Sequence, residues 1–123
     1  MIRGIRGATT VNNNKAEEIL NATEELIAKI IELNKIQPES VASVFISTTE
    51  DLNAVFPSKV LRNFPGWTYV PVMCMREIPV RDSLTKCIRI MLHVNTDAAQ
   101  NEINHVYLNG AKILRPDLTS SLR

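Results

Sequence analysis

The chain has 123 residues, 45% of them hydrophobic, 22% charged and 5% aromatic, with a formal net charge of +1. That is one domain's worth of sequence with enough apolar material for a single core, which excludes a disordered chain, and the absence of a cationic excess excludes a polyanion-coating one. No apolar run reaches the ~18 residues that span a bilayer, the start MIRGIRGATT lacks an apolar signal core, and Cys74 and Cys87 allow one bridge at most, so a cytoplasmic protein without membrane or nucleic-acid partners is expected.

Residues 1–11 read as a first strand with small residues at Gly4 and Gly7, and the odd spacing of Arg3 and Arg6 sends them to opposite faces. The clearest helix follows. Ala16, Ile19, Leu20, Thr23, Leu26, Ile27, Ile30 and Ile31 recur at helical spacing, while Glu17, Glu18, Glu24, Glu25, Lys29 and Glu32 fill the other side. Asn14 is placed to cap it with Glu17 in the capping-box position, and Asn34 to end it ahead of Pro38. Val41 to Thr48 is a short β-branched run that reads as a buried strand. Pro57 suits the first turn of a short helix running to about Phe64, which sets Lys59 and Arg62 on one side before Pro65-Gly66 stops it. Thr68 to Met75 is a further strand, and the proline within it, Pro71, predicts an edge position.

Cys87 to Thr96 alternates cleanly, with Ile88, Ile90, Leu92 and Val94 on one face and Cys87, Arg89, Met91 and His93 on the other. Thr96 caps a short predicted helix from Asp97 to about Asn104. Asn109-Gly110, between His105–Leu108 and Ala111–Leu114, predicts a hairpin. The domain is expected to end at residue 118, with 119–123 a polar tail that frays. The sum is a single mixed α/β domain with a sheet of about five strands, one long helix and two short ones. One long helix covers one face of such a sheet; a partner subunit is the economical cover for the other.

The catalytic motifs of nucleotide, nucleophile and metal enzymes are missing. There is no Walker A loop, no G-x-G-x-x-G and no G-x-S-x-G. His93 and His105 have no carboxylate at ligand spacing, so no metal is expected, and thirteen positions separate the cysteines, which removes a CxxC redox reading. What stands out is arginine. Eight of the fourteen basic residues are arginines, and residues 51–123 carry nine bases against six acids while residues 1–50 carry five against seven. Arg89 lies between Ile88 and Ile90, Arg6 lies in the first strand, and Arg115 follows an apolar run. Taken singly, each is equally well a solvated charge on an outward face. Arg76 and Glu77 read as a surface ion pair, Cys74 as a small buried hydrophobe, and Tyr107 as core or rim. On the residues alone, an anion-binding α/β domain is as far as the reading goes.

The segments Ile2-Arg3-Gly4-Ile5-Arg6-Gly7-Ala8-Thr9-Thr10, Asp51-Leu52-Asn53-Ala54-Val55-Phe56-Pro57 with Lys59, and Gly66-Trp67 to Tyr69-Val70-Pro71-Val72 resemble a known family. So do Cys74-Met75 with Glu77, Lys86-Cys87-Ile88-Arg89, His105-Val106-Tyr107-Leu108 and Leu114-Arg115-Pro116-Asp117-Leu118. In order and over nearly the whole chain, they resemble the monofunctional bacterial chorismate mutases of the AroH class. The resemblance implies a pseudo-α/β-barrel homotrimer with sheets at its centre, helices outside and active sites between subunits. It implies rearrangement of chorismate to prephenate, the branch step toward phenylalanine and tyrosine, without a cofactor. By resemblance Arg6 binds the side-chain carboxylate with help from Tyr107, Arg89 donates to the ether oxygen, and Glu77 accepts from the ring hydroxyl, assisted by Cys74. Phe56 walls the ring. Lys59, Arg62 and a mobile Arg115 supply positive charge near the second carboxylate and the mouth, with Ser58, Val72, Met73 and Leu114 among the substrate-binding positions. Met73 and Ser58 depart from the family, whose members commonly carry Thr and Ala there.

A [3,3]-sigmatropic rearrangement uses no nucleophile, proton transfer or metal, which accounts for the missing motifs. Two other readings remain beside it: a different enzyme on a similar trimeric scaffold, such as an imine deaminase, and a non-catalytic carboxylate-binding trimer. The Glu77, Arg89 and Tyr107 set argues against the first, and the full complement of polar groups against the second.

Overall fold

A computed structural model describes residues 1–115; the expected boundary at 118 and the tail 119–123 lie outside the described residues. Five strands form one sheet: β1 (Ile2–Thr10), β2 (Val41–Thr48), β3 (Val72–Arg76), β4 (Cys87–Asn95) and β5 (Val106–Tyr107), in the order β3-β2-β4-β1-β5. β4 runs antiparallel to both β1 and β2, whereas β3 and β5 add in parallel at the two edges. The mixed sheet is as expected, and so is the edge position of the strand after Pro71. That strand begins only at Val72, because Pro71 has no N–H to give to the ladder; its carbonyl accepts from Val44 N at 2.9 Å instead.

The one long helix among the described residues, α1 (Ala16–Asn34), lies on one face. Its Ile19, Leu26, Ile27 and Ile30 are fully buried against Ile5 of β1, Val44 and Ile46 of β2, and Ile88, Ile90 and Leu92 of β4. Burial of each such side chain contributes about 1.5–3 kcal/mol. Gly7 lets the helix come close: a Cβ there would sit 2.7 Å from Ile30 Cδ1 and 3.1 Å from Leu26 Cδ1.

Several local expectations are corrected. Lys15, not Asn14, is the residue that precedes α1, and it makes no side-chain cap. Asn14 instead reaches across to the 53–54 turn, where its Oδ1 accepts from Asn53 N and Ala54 N, while Glu18 takes the Asn13 N–H. Asn34 ends the helix as expected, and Lys35 closes it in a left-handed conformation, φ 51°. The remaining helical pieces are 3-10 turns at 38–40, 57–63, 100–102 and 109–114. The helix expected over 97–104 shrinks to Gln100–Glu102, with Thr96 Oγ1 accepting from Ala98 N.

The hairpin at Asn109-Gly110 does not form. Val106–Tyr107 pairs in parallel with β1 rather than with the residues that follow it. Asn109 does adopt the positive φ, 54°, that suggested a turn. That turn is tied to β1, through Asn109 Nδ2 to Thr9 Oγ1 and Gly110 N to Thr10 Oγ1, and it launches the 109–114 turn.

Candidate active site

Alternation along the strands decides which side chains meet. The register pairs Ala8 with both Arg89 and Tyr107, and Arg89 with Ser47, so Tyr107, Ala8, Arg89 and Ser47 form one row on the face away from α1. Arg6, opposite Met91, stands in the next row of the same face. Glu77 follows β3 directly and extends its ladder, its N–H donating to Thr48 O at 2.9 Å. The two arginines, the glutamate and the tyrosine singled out in the sequence therefore share one face of the sheet. Arg3 goes to the other face, where its Nε donates to Ala98 O.

The contacts within this group are specific. Arg89 Nε is 3.4 Å from Glu77 Oε2, and the same Oε2 accepts from Ser47 Oγ. Among the described residues Arg89 Nε makes no hydrogen bond although it is buried, and neither does Tyr107 Oη, on a side chain only 2% exposed. These two buried donors, without a hydrogen bond among the described residues, stand in one row of the sheet on either side of Ala8. Such groups carry a desolvation cost of about 1–3 kcal/mol each, and they concentrate where a ligand is held. Arg76, expected to pair with Glu77, is bonded to Glu50 at the surface instead.

Tyr107 packs with Ala8, Cys87 and Ala111, and Leu114 joins this small cluster. Burial pushes the Cys87 thiol up despite the nearby Arg89 guanidinium. His105 Nδ1 accepts from the Arg6 backbone N–H at 2.9 Å, which requires the tautomer protonated at Nε2. Burial, then Arg115 and Arg6, hold the His105 imidazole below its ordinary value. Both cysteines are free thiols.

The other expected site residues gather elsewhere. Phe56, Lys59 and Cys74 line an open cleft of about 850 Å³ between the 49–57 segment and the β3 edge. Phe56, Ser58, Lys59, Arg62 and Val72 line a neighbouring one of about 380 Å³. Neither lining includes Arg6, Glu77, Arg89 or Tyr107. Cys74 is level with Ile46 and packs toward the α1 side, so within one chain it does not share Glu77's face. Met73 is level with Phe45 on the open face and is 58% exposed. A single chain thus presents two half-sites: an open-face half with Arg6, Glu77, Arg89 and Tyr107, flanked by Leu114 and Arg115, and an edge half with Phe56, Ser58, Lys59, Arg62, Val72 and Cys74. Sequence reasoning misses Ser47, which holds Glu77, and weighs His105, which accepts from the Arg6 backbone N–H, only as a metal ligand; the polar alternation of Ser43 and Ser47 around Phe45 is the only local signal for the first. No group of three or more His, Cys, Asp or Glu residues suited to a metal occurs among the described residues.

The family model for chorismate mutase type I matches residues 2–118. The chorismate mutase AroH of Bacillus subtilis (strain 168) is 55% identical over 119 residues, covering 97% of this chain and 94% of that protein. The chorismate mutase AroH of Thermus thermophilus is 46% identical over 122 residues, covering 98% and 99%. Among solved structures, a chorismate mutase from Clostridium thermocellum superposes with a TM-score of 0.87 at 49% identity, over 90% of this chain and 98% of that one.

Proposed function

The chain belongs to the type I chorismate mutase family, and we propose that its open-face and edge half-sites, joined between neighbouring copies, bind and rearrange chorismate. It is an isomerase that converts chorismate to prephenate, a step of aromatic amino acid biosynthesis; near full-length similarity to two chorismate mutases favours this over an imine deaminase or a carboxylate-binding trimer. The observation that carries the residue assignment is the pair of buried donors, Arg89 Nε and Tyr107 Oη, that make no hydrogen bond among the described residues, on the face that also holds Arg6 and Glu77.

In this reading Arg6 and Tyr107 take the side-chain carboxylate, which gives the orphan phenol its partner. Arg89 donates to the ether oxygen as the C–O bond stretches and negative charge collects there. Glu77, fixed by Ser47, accepts from the ring hydroxyl and faces the positive charge that develops on the ring. Held at both ends, the substrate is confined to the compact chair-like conformer whose carbon termini approach each other. Arg89 supplies a preorganised charge where the transition state needs one, the kind of donor whose loss costs about 10²–10³ in rate. No residue needs to accept or donate a proton.

Phe56, Lys59 and Arg62, with Ser58, Val72 and Cys74 nearby, close the site from a neighbouring subunit in a homotrimer. Their separation from the open-face half within one chain supports this, as do the half-buried Phe45 and Met91 and the exposed Met73 and Met75 on a sheet face that α1 does not cover. Leu114 and Arg115 border the site from the chain that supplies Tyr107. A cytoplasmic location and the absence of a cofactor belong to the same proposal; among the described residues no helix is long and apolar enough to cross a membrane. The direct test is purified protein with chorismate and no added cofactor, following loss of the substrate's ultraviolet absorbance and formation of prephenate. Assembled protein that gives no acceleration would refute the reading.

A further inference from the structure

Asp51 and Lys86 open two of the matching sequence segments, yet neither belongs to the proposed rearrangement machinery. The fold joins them. Both Asp51 carboxylate oxygens accept from the Lys86 backbone N–H, at 3.1 and 3.0 Å, and Thr49 Oγ1 donates to Asp51 Oδ1 at 2.5 Å. The Lys86 carbonyl accepts from Val11 N at 3.0 Å, so this one residue is gripped through both its backbone polar groups. Its φ is 47°, in the left-handed region that residues with a Cβ avoid.

Residues 48–51 hold the chain on either side of that turn. Thr48 O accepts from Glu77 N at 2.9 Å; Thr49 N donates to Cys87 O and Thr49 Oγ1 accepts from Cys87 N, both at 3.0 Å. Residues 48–51 therefore clasp both ends of the 77–86 segment, at Glu77 and at Lys86. Between these ends Ile78 and Val80 are exposed. β4 begins directly after Lys86, and Arg89, two residues beyond Cys87, stands with its Nε 3.4 Å from Glu77 Oε2.

We propose that Asp51 is a positioning residue for the rearrangement: its carboxylate holds Lys86 in the left-handed turn that fixes Arg89 against Glu77. The proposal rests on the assignment of Arg89 and Glu77 to the reaction. A displacement of about 1 Å at a positioned group costs up to ~10²-fold in rate, which sets the size of effect to look for. Glycine enters the left-handed region without the Cβ penalty, so it offers a way to keep the turn when the carboxylate is gone.

The test compares Asp51→Asn, Lys86→Gly, the double variant and Arg89→Gln for kcat, KM and thermal midpoint. Asp51→Asn is expected to lower kcat about 10- to 100-fold with KM within about threefold, Lys86→Gly to stay near wild type, and the double variant to recover most of the lost kcat. A merely structural role would lower the melting temperature without this kcat loss or its rescue. The proposal is overturned if Asp51→Asn keeps wild-type kcat, or if Lys86→Gly fails to restore what it loses. Should Asp51→Asn not fold alone, the double variant is read against Lys86→Gly: equal kcat supports the proposal, and a loss of the size expected for Asp51→Asn overturns it. Arg89→Gln retaining wild-type kcat would instead remove the assignment beneath it.

Discussion

Replacing Arg89 by citrulline, its neutral isostere, removes one charge and keeps the side chain's shape. The structure puts Arg89 Nε 3.4 Å from the Glu77 carboxylate, buried, and without a hydrogen bond among the described residues. A half charge developing on the ether oxygen about 3 Å from a guanidinium, at an effective dielectric near 20, is worth roughly 3 kcal/mol, or about 10² in rate. Weakening a charge-assisted hydrogen bond to a neutral one adds about another factor of ten, giving an expected loss of ~10³ in kcat. KM should change by less than about tenfold, because this attraction grows only as the C–O bond breaks. Stopped assays on chorismate at saturating and limiting concentration give both constants, and a mass measurement confirms that the assembly is intact. Equal, small falls in kcat and in affinity would refute the electrostatic role. Arg89→Lys should also be damaging, since a point-charge ammonium cannot reproduce the guanidinium's fork and reach.

Tyr107→Phe deletes a buried hydroxyl that has no partner among the described residues, so it should leave stability unchanged or raise it by about 1 kcal/mol while raising KM several-fold; urea unfolding and steady-state kinetics check the two halves, and a clear destabilisation would show the hydroxyl is already bonded. His105 is held below the ordinary imidazole value of about 6.5, so as pH falls below that value the unfolded chain takes up the proton first and stability is lost until the folded-state value is passed. Urea midpoints between pH 5 and 8 should therefore fall more steeply in the wild type than in His105→Asn, and identical slopes would contradict the shift. Gly7→Ala forces a methyl toward Ile30, Leu26 and Ile90 and should destabilise by about 1–3 kcal/mol in the same assay, with a neutral result showing that α1 can move aside.

The parts of the fold legible in the sequence were those set by side-chain period. Val41–Thr48 and the Cys87 strand were placed within a residue, and the apolar stripe of α1 faces the sheet as its spacing requires. Local turn chemistry was less informative, because it says that a chain turns but not what it turns against. Asn109 takes the positive φ typical of a hairpin, but it donates to Thr9 and its neighbour Gly110 to Thr10, about a hundred residues away, and the chain leaves in a 3-10 turn. Asn14 could cap a helix, yet the 53–54 backbone offers it more hydrogen bonds. The site shows the same division. Alternation alone set Arg6 and Arg3 on opposite faces, whereas Ser47 on Glu77 and Asp51 on Lys86 are contacts across 30 and 35 positions that no local pattern announces.

That a complete site needs two chains can be measured by subunit complementation. Arg89→Gln spoils the open-face half and a Lys59→Ala, Arg62→Ala double variant spoils the edge half, so each protein alone should be nearly inactive. When the two are unfolded together and reassembled in equal amounts, one interface in four pairs two intact halves, so activity should return to about a quarter of the wild-type level. Mixed assemblies, confirmed by native mass, that show no activity beyond the two parents would contradict the account.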